Sequence, residues 1–238
     1  MSWNGFILRT SNRIFFAVFF LALSPYALGF DLEGEVKLKT PLPAPEFLEV
    51  PKEHTEICGT KKRSPRLEIS PEGGVANAVV KLEGITPKDF SIQKEFSLDQ
   101  KDCEFYPHIL LIPQGATLSI VNSDGTLHNV RAFNERAEML FNDAMPKKGQ
   151  VLKKRFDEPG RITVRCGIHH WMHAVAVIEE HPYYALTDSS GYFKIEGIPE
   201  GNYKLSVWQE SLGEMKKEVG PKTGFLVLMY GSDKASNK

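Results

Sequence analysis

The chain has 238 residues, 42% hydrophobic and 25% charged, and its 29 basic and 30 acidic side chains leave a formal net charge of −1. This length holds one large or two small domains with real cores. So balanced a charge offers no electrostatic footprint for nucleic acid or an anionic membrane surface, and both partners are excluded.

At the start of the chain Arg9 and Arg13 precede an apolar run over residues 14–23, and Ala27, Leu28 and Gly29 offer small residues for cleavage. A basic flank, a short apolar core and a small-x-small site predict a secretory signal peptide over residues 1–29. The run falls short of the roughly 20 residues that span a bilayer, so no stable membrane insertion is expected after its removal. Taking away those two arginines leaves 27 basic against 30 acidic residues, a net −3, on a product expected in the periplasm or outside the cell.

Residues 30–95 begin with a strand-like stretch containing Gly34 and Val36, then a Pro-rich connector at 40–45, a basic polar loop at 60–65 and a second β-rich run at 78–82. Further short β-rich runs follow at 108–112, 117–121, 161–165, 174–178 and 203–208, separated by Gly, Pro, Asn and Asp. Short strands at even spacing between turn residues predict an all-β sandwich or barrel. Leu118, Ile120 and Asn122 alternate with Thr117, Ser119 and Val121, and Ile162 and Val164 alternate with Arg161, Thr163 and Arg165, so each run should present one inward face. A short helix is expected over 134–140, and a frayed polar tail over 231–238.

Three cysteines in an exported chain leave one without a partner. The simplest allotment pairs Cys58 with Cys103 in an oxidising compartment, two buried free thiols being the alternative, and leaves Cys166 as a thiolate held by metal. Cys166 is accompanied: His169 and Met172 follow in the segment Cys166-Gly-Ile-His169-His170-Trp171-Met172, and His128 stands 37 residues upstream in Asn122-Ser-Asp-Gly-Thr-Leu-His128-Asn129-Val130. One thiolate, two imidazoles and a thioether form a soft mixed set that suits copper: sulfur stabilises Cu(I), and imidazole serves both oxidation states. The candidate metal ligands are therefore His128, Cys166, His169 and Met172, with His170, His173 or a vacancy as alternatives to Met172. His54 and His108 are candidates for a second, weaker metal site.

These segments carry a resemblance. Pro113-Gln-Gly115-Ala-Thr-Leu118, the His128-Asn129-Val130 element, Pro159-Gly160-Arg-Ile-Thr-Val-Arg-Cys166 and the loop to Met172 make residues 96–180 resemble a cupredoxin, the plastocyanin-like family of blue-copper sandwiches. The resemblance implies a Greek-key β-sandwich, His128, Cys166 and His169 as equatorial ligands, Met172 as axial ligand, and Asn129 as a neighbour tying the two ligand loops together. It also implies that the His169 ring edge lies near solvent as the electron exit, with Trp171 and His173 beside it as a docking patch. The two residues between His169 and Met172 are fewer than mononuclear cupredoxins usually have, and a binuclear centre would need a second loop cysteine. The Cys-x-x-His-x-Trp-Met loop followed by His181-Pro-Tyr resembles a bacterial subset labelled methylamine utilization protein-like.

Beyond it, Thr187-Asp188-Ser-Ser-Gly191-Tyr-Phe193-Lys-Ile195 with Pro199, Gly201 and Tyr203 resembles a carboxypeptidase regulatory-like, transthyretin-like β domain over 181–230. Asp188 and Gly191 make its hairpin turn while Phe193 and Ile195 point inward. Those residues are too few for the whole module, and the stretches around Gly34–Val36 and 73–82 resemble its first two strands, so a second small sandwich split around the copper domain is expected.

The expected function is electron transfer by a single copper cycling between Cu(II) and Cu(I), with a redox protein partner and no catalytic residues, since four protein ligands leave no open position for a substrate. The alternatives are a non-redox copper-binding or surface-interaction protein and a copper oxidoreductase whose second metal is shared between subunits. Seven histidines are too few for the trinuclear cluster of multicopper oxidases.

Overall fold

In the computed structural model, which describes residues 1, 29–39, 41–85 and 95–231, nearly every regular element is a strand. The proposed signal peptide (but for residues 1 and 29) and the tail from 232 lie outside the described residues. In chain order the elements are β1 (Gly29–Leu38), β2 (Phe47–Glu49), a 3-10 turn (Lys52–His54), the single-turn helix α1 (Thr55–Cys58), β3 (Lys61–Arg63) and β4 (Val79–Glu83). There follow β5 (Phe96–Lys101), β6 (Glu104–Tyr106), β7 (Ile109–Pro113), β8 (Thr117–Asn122), β9 (His128–Phe133), β10 (Met139–Met145), β11 (Val151–Arg155), β12 (Gly160–Cys166) and β13 (His173–Glu179). The chain closes with β14 (Tyr184–Leu186), β15 (Tyr192–Pro199), β16 (Tyr203–Gln209), β17 (Gly213–Val219) and β18 (Leu226–Tyr230).

Period-two alternation decides how these strands pack. In β8 the buried residues are Leu118, Ile120 and Asn122, and in β12 they are Ile162, Val164 and Cys166. A sheet ordered β10-β9-β12-β13-β7 faces a sheet ordered β11-β8-β5-β6, and their inward residues form one apolar core with Leu98, Val130, Met145 and Ile178. Each fully buried Val, Leu or Ile there contributes about 1.5–3 kcal/mol.

A second core joins the two ends of the chain. β1 pairs with β15 and β18, and β4 pairs with β14 and β16. Leu32, Val36, Val80 and Leu82 from the N-terminal part pack with Phe193, Ile195, Leu205 and Leu228. The turn before β15 forms as its residues demand: Asp188 Oδ1 accepts the amides of Ser190 (2.8 Å) and Tyr192 (3.0 Å), and Gly191 takes a φ of 84°. Val79, Ile109, Val175 and Val177 pack between the outer faces of the two sandwiches.

Residues 47–63 behave differently from the rest of the N-terminal segment. β2 and β3 form a small hairpin whose Val50 and Cys58 are buried in the first core, not the second. Cys58 is disulfide-bonded to Cys103, which closes a loop of 45 residues and, in the chain-entropy picture, stabilises the fold by about 4 kcal/mol.

The short helix expected at 134–140 is absent. Asn134 Oδ1 accepts the amides of Arg136 and Glu138, both at 3.0 Å, and Ala137 adopts a φ of 60°, so the side chain of Asn134 builds a turn where helix propensity alone favours a coil of helix. Met139 onward joins β10.

Strand exchange between the two ends of the chain predicts the outcome of limited proteolysis. A nick between the two sandwiches should leave fragments held together, and a stable isolated product containing only 181–238 would contradict the pairing of β1 and β4 with the C-terminal strands.

Candidate metal centre

β9 and β12 are antiparallel neighbours in register Cys166↔Val130, so the first residue of β9 and the last of β12 lie at one end of the sheet. His128, Val130 and Ala132 share the inward face of β9, as Val164 and Cys166 share that of β12. Alternation and register together therefore aim the His128 ring and the Cys166 sulfur into the same buried space. The loop from Cys166 then doubles back: the Met172 amide donates to the His169 carbonyl (2.9 Å) and the Cys166 amide to the Met172 carbonyl (3.2 Å), returning His169 over the sulfur.

Cys166 Sγ lies 3.9 Å from His128 Nδ1 and 3.7 Å from His169 Nδ1, and the two nitrogens are 3.0 Å apart. Metal–donor bonds of roughly 2.0–2.3 Å about one centre separate donors by about 3–4 Å. The three donors fit a single ion. All three residues are at most 3% exposed. Two imidazole lone pairs held this close repel unless a cation or a proton stands between them, and a bound metal would meet that condition.

The surroundings fix each donor. His128 Nε2–H donates to Asp124 Oδ2 at 2.9 Å, which turns Nδ1 toward Cys166 and His169, as a donor to the sulfur when the ring is charged and as a metal ligand when it is neutral. Asp124 also accepts the amides of Asp102 (2.7 Å) and Cys103 (2.8 Å), holding a turn in which both residues have positive φ. The sulfur receives the amides of Ile168 (3.5 Å) and His169 (3.4 Å). Burial alone raises the Cys166 pKa, but hydrogen bonds from His128, His169 and the Asn129 and His169 amides outweigh it and pull it from 9.0 to about 5. Burial likewise lowers the His128 pKa, and the Cys166 sulfur and Asp124 carboxylate reverse that, so the net shift is upward.

Asn129 ties the two ligand loops through its main chain: its carbonyl accepts the Gly167 amide at 2.7 Å and its own amide faces the sulfur. Its side chain bonds Asn142 and Arg131 instead. A Cβ at position 167 would meet Asn129 Oδ1 and come within 2.6 Å of Arg131 Nε, so a larger residue there requires those two side chains to move.

Met172 is 1% exposed and packs in the same core as Cys166. The other axial candidates point elsewhere: His170 is exposed, and His173 bonds Glu210 at 3.0 Å. His54 and His108, paired above as a second site, have different partners. His108 Nε2 reaches Glu210 at 2.7 Å, while the His54 ring stands edge-on to His169, with centroids 4.8 Å apart.

That His54 contact overturns the solvent-facing His169. His169 is 1% exposed because the arm of residues 47–63 folds across it. His54 packs on both His169 and Trp171, the Cys58–Cys103 disulfide lies against the His169 ring, and the Trp171 indole N–H donates to the Cys103 carbonyl at 2.9 Å. Sequence reasoning missed Asp124 and His54 as parts of this site. Asp124 had a readable signal, a carboxylate four residues before a ligand histidine; His54, more than a hundred residues from Cys166, had none.

No protein-family profile matches this chain, and no curated protein does. Among solved structures it is similar to a purple cupredoxin from Nitrosopumilus maritimus, at 21% identity over 36% of this chain and 100% of that one, with a TM-score of 0.33. It is also similar to amicyanin from Paracoccus versutus (21% identity, 42% and 97% covered, TM-score 0.33) and to a Cu-containing nitrite reductase from Thermus scotoductus SA-01 (22% identity, 40% and 25% covered, TM-score 0.31). At those scores none of the three carries an argument, and the reading of the site rests on its donor atoms.

Because the folded Cys166 pKa is depressed, its thiolate contributes stability that is full above the unfolded value of 9.0 and is lost as pH falls through about 5. The metal-free protein should accordingly show thiolate ultraviolet absorbance at neutral pH that disappears near pH 5. Asp124→Asn, which weakens the hold on His128, should move that midpoint upward.

Proposed function

We propose that this chain is an exported type 1 copper protein that carries single electrons between redox partners, in which His128, Cys166, His169 and Met172 would hold the metal. The observation that supports it most is the convergence of Cys166 Sγ, His128 Nδ1 and His169 Nδ1 within 3.0–3.9 Å of one another in a buried pocket. When bound there, copper would supply the one-electron couple Cu(II)/Cu(I). The protein's part is to hold donors of intermediate softness in a fixed arrangement. Asp124 orients the His128 ring, amides from Asn129, Ile168 and His169 draw charge from the sulfur, and the surrounding core excludes water. Donors held this way need little rearrangement when the charge changes, which favours fast transfer.

With His169 covered, the electron leaves by the rings packed against it. The half-buried His54 and Trp171 rings, at 4.8 and 5.2 Å from His169, form the shortest aromatic route outward on this reading, and the partner docks over the arm of residues 47–63. The copper sandwich occupies 96–180, and a carboxypeptidase regulatory-like sandwich is assembled from the N-terminal strands and 181–230. Export is supported by the basic-then-apolar N-terminus and by the Cys58–Cys103 disulfide, which persists in oxidising compartments.

Optical and electron paramagnetic resonance spectra of the copper-loaded protein test this. An intense blue to purple charge-transfer band with narrow copper hyperfine splitting is expected, absent in Cys166→Ser, while His54→Ala keeps the spectrum and slows electron exchange. A pale tetragonal copper signal that survives Cys166→Ser would instead indicate simple copper holding.

A further inference from the structure

His108, His173 and Glu210 converge at the seam between the two sandwiches, outside the centre described above. His108 immediately precedes β7 and His173 opens β13, and these strands are parallel neighbours in register Val175↔Ile109, so the two rings stand side by side at one sheet end with centroids 4.8 Å apart. Glu210 arrives from the other sandwich, in the turn that follows β16, and places Oε2 2.7 Å from His108 Nε2 and Oε1 3.0 Å from His173 Nε2. The three ligand atoms lie within 4.8 Å of one another, and the three side chains are between 7% and 15% exposed.

The hydrogen bonds also fix which ring nitrogen of His108 faces the cluster. His108 Nδ1 is 3.2 Å from the His173 carbonyl, and a carbonyl only accepts, so Nδ1 carries a proton. Nε2 is then the nitrogen aimed at the Glu210 carboxylate, and either a second proton or a metal ion must stand between the two atoms at 2.7 Å. A backbone carbonyl that fixes one ring nitrogen and frees the other is the usual support of a metal-binding histidine. Glu210 fits the same role: burial raises its pKa, but His108 and His173 outweigh that and hold it well below the ordinary carboxylate range, ionised and ready to ligate. Among the described residues its further ion-pair partner is Arg66 Nε, 3.2 Å from Oε1, on a half-exposed side chain that can swing away.

We propose that His108, His173 and Glu210 form a second metal site that takes a divalent cation of the zinc or copper(II) class. Imidazole and carboxylate donors suit such ions, and the set lacks the sulfur that would select Cu(I). Three protein ligands leave a fourth position, and a cleft of about 650 Å³, lined by His108 and His173 with Lys101, Tyr106 and Trp171, brings solvent to it. Where a proton stands between a ring nitrogen and Glu210, the entering ion takes its place and the proton is released. The ion would clamp the second sandwich to the first one residue from Met172.

Zinc titration of the full exported chain, preloaded with one equivalent of copper, tests the site by calorimetry and metal analysis. The wild type should take one further zinc with release of protons, and His108→Ala and Glu210→Gln should each weaken that binding more than about 100-fold, beyond the 10–100-fold cost of losing an outer partner, with the far-ultraviolet circular dichroism unchanged. Co(II) added to the wild-type chain should give visible ligand-field bands that zinc displaces, a readout that needs no variant to fold. Absence of a further zinc and of the cobalt bands, or equal zinc binding by wild type and Glu210→Gln, would overturn the proposal. The difference between wild type and Glu210→Gln reads this site whether or not copper loads at Cys166.

Discussion

The register of β9 against β12 is the constraint on which the candidate metal centre depends. Pairing Cys166 with Val130 puts an imidazole and a thiol at one end of two adjacent strands, and period-two alternation turns both inward. A one-residue slip would send every side chain of one strand to the opposite face and separate the donors. The apolar positions on the same faces, Val130, Ala132, Ile162 and Val164, hold the register, so the forces that build the core also place the ligands. The loop to Met172 adds the third donor without a new strand, because two main-chain hydrogen bonds close it onto the end of β12.

Around that frame the chain spends polar groups on orientation and apolar ones on exclusion. Asp124 serves two masters, the His128 ring and the strained Asp102–Cys103 turn, so the disulfide and the ligand histidine are mechanically linked through one carboxylate. The arm of residues 47–63 is covalently fastened at Cys58 and covers His169 with His54. The His169 edge is not bare: it lies beneath a built surface of two rings, His54 and Trp171. The seam between the sandwiches is likewise structured, with Lys81–Glu179 at 2.8 Å and the His108–Glu210–His173 cluster bridging parts of the chain remote in sequence.

The all-β architecture was legible because it follows from local alternation: Leu118, Ile120 and Val164 announce their burial by position alone. The candidate ligands were legible because donor identity and order survive in one dimension, and the structure brings three of the four names into mutual range. What could not be read depended on encounters between distant segments. His54 reads in sequence as a candidate for a separate, weaker metal site until the Cys58–Cys103 bond carries it across to His169, and Glu210 looks like a turn residue until the second sandwich docks. The expected helix at 134–140 failed for a local reason, since Asn134 offers its own oxygen to two following amides and a turn forms instead.

The central claim is that one sulfur anion and two imidazoles share a single copper. Copper K-edge absorption fine structure on the metal-loaded protein measures this directly. One sulfur and two imidazole nitrogens at roughly 2.0–2.3 Å are predicted, with the sulfur scatterer gone in Cys166→Ser. A spectrum containing only nitrogen and oxygen neighbours in the unaltered protein would contradict it.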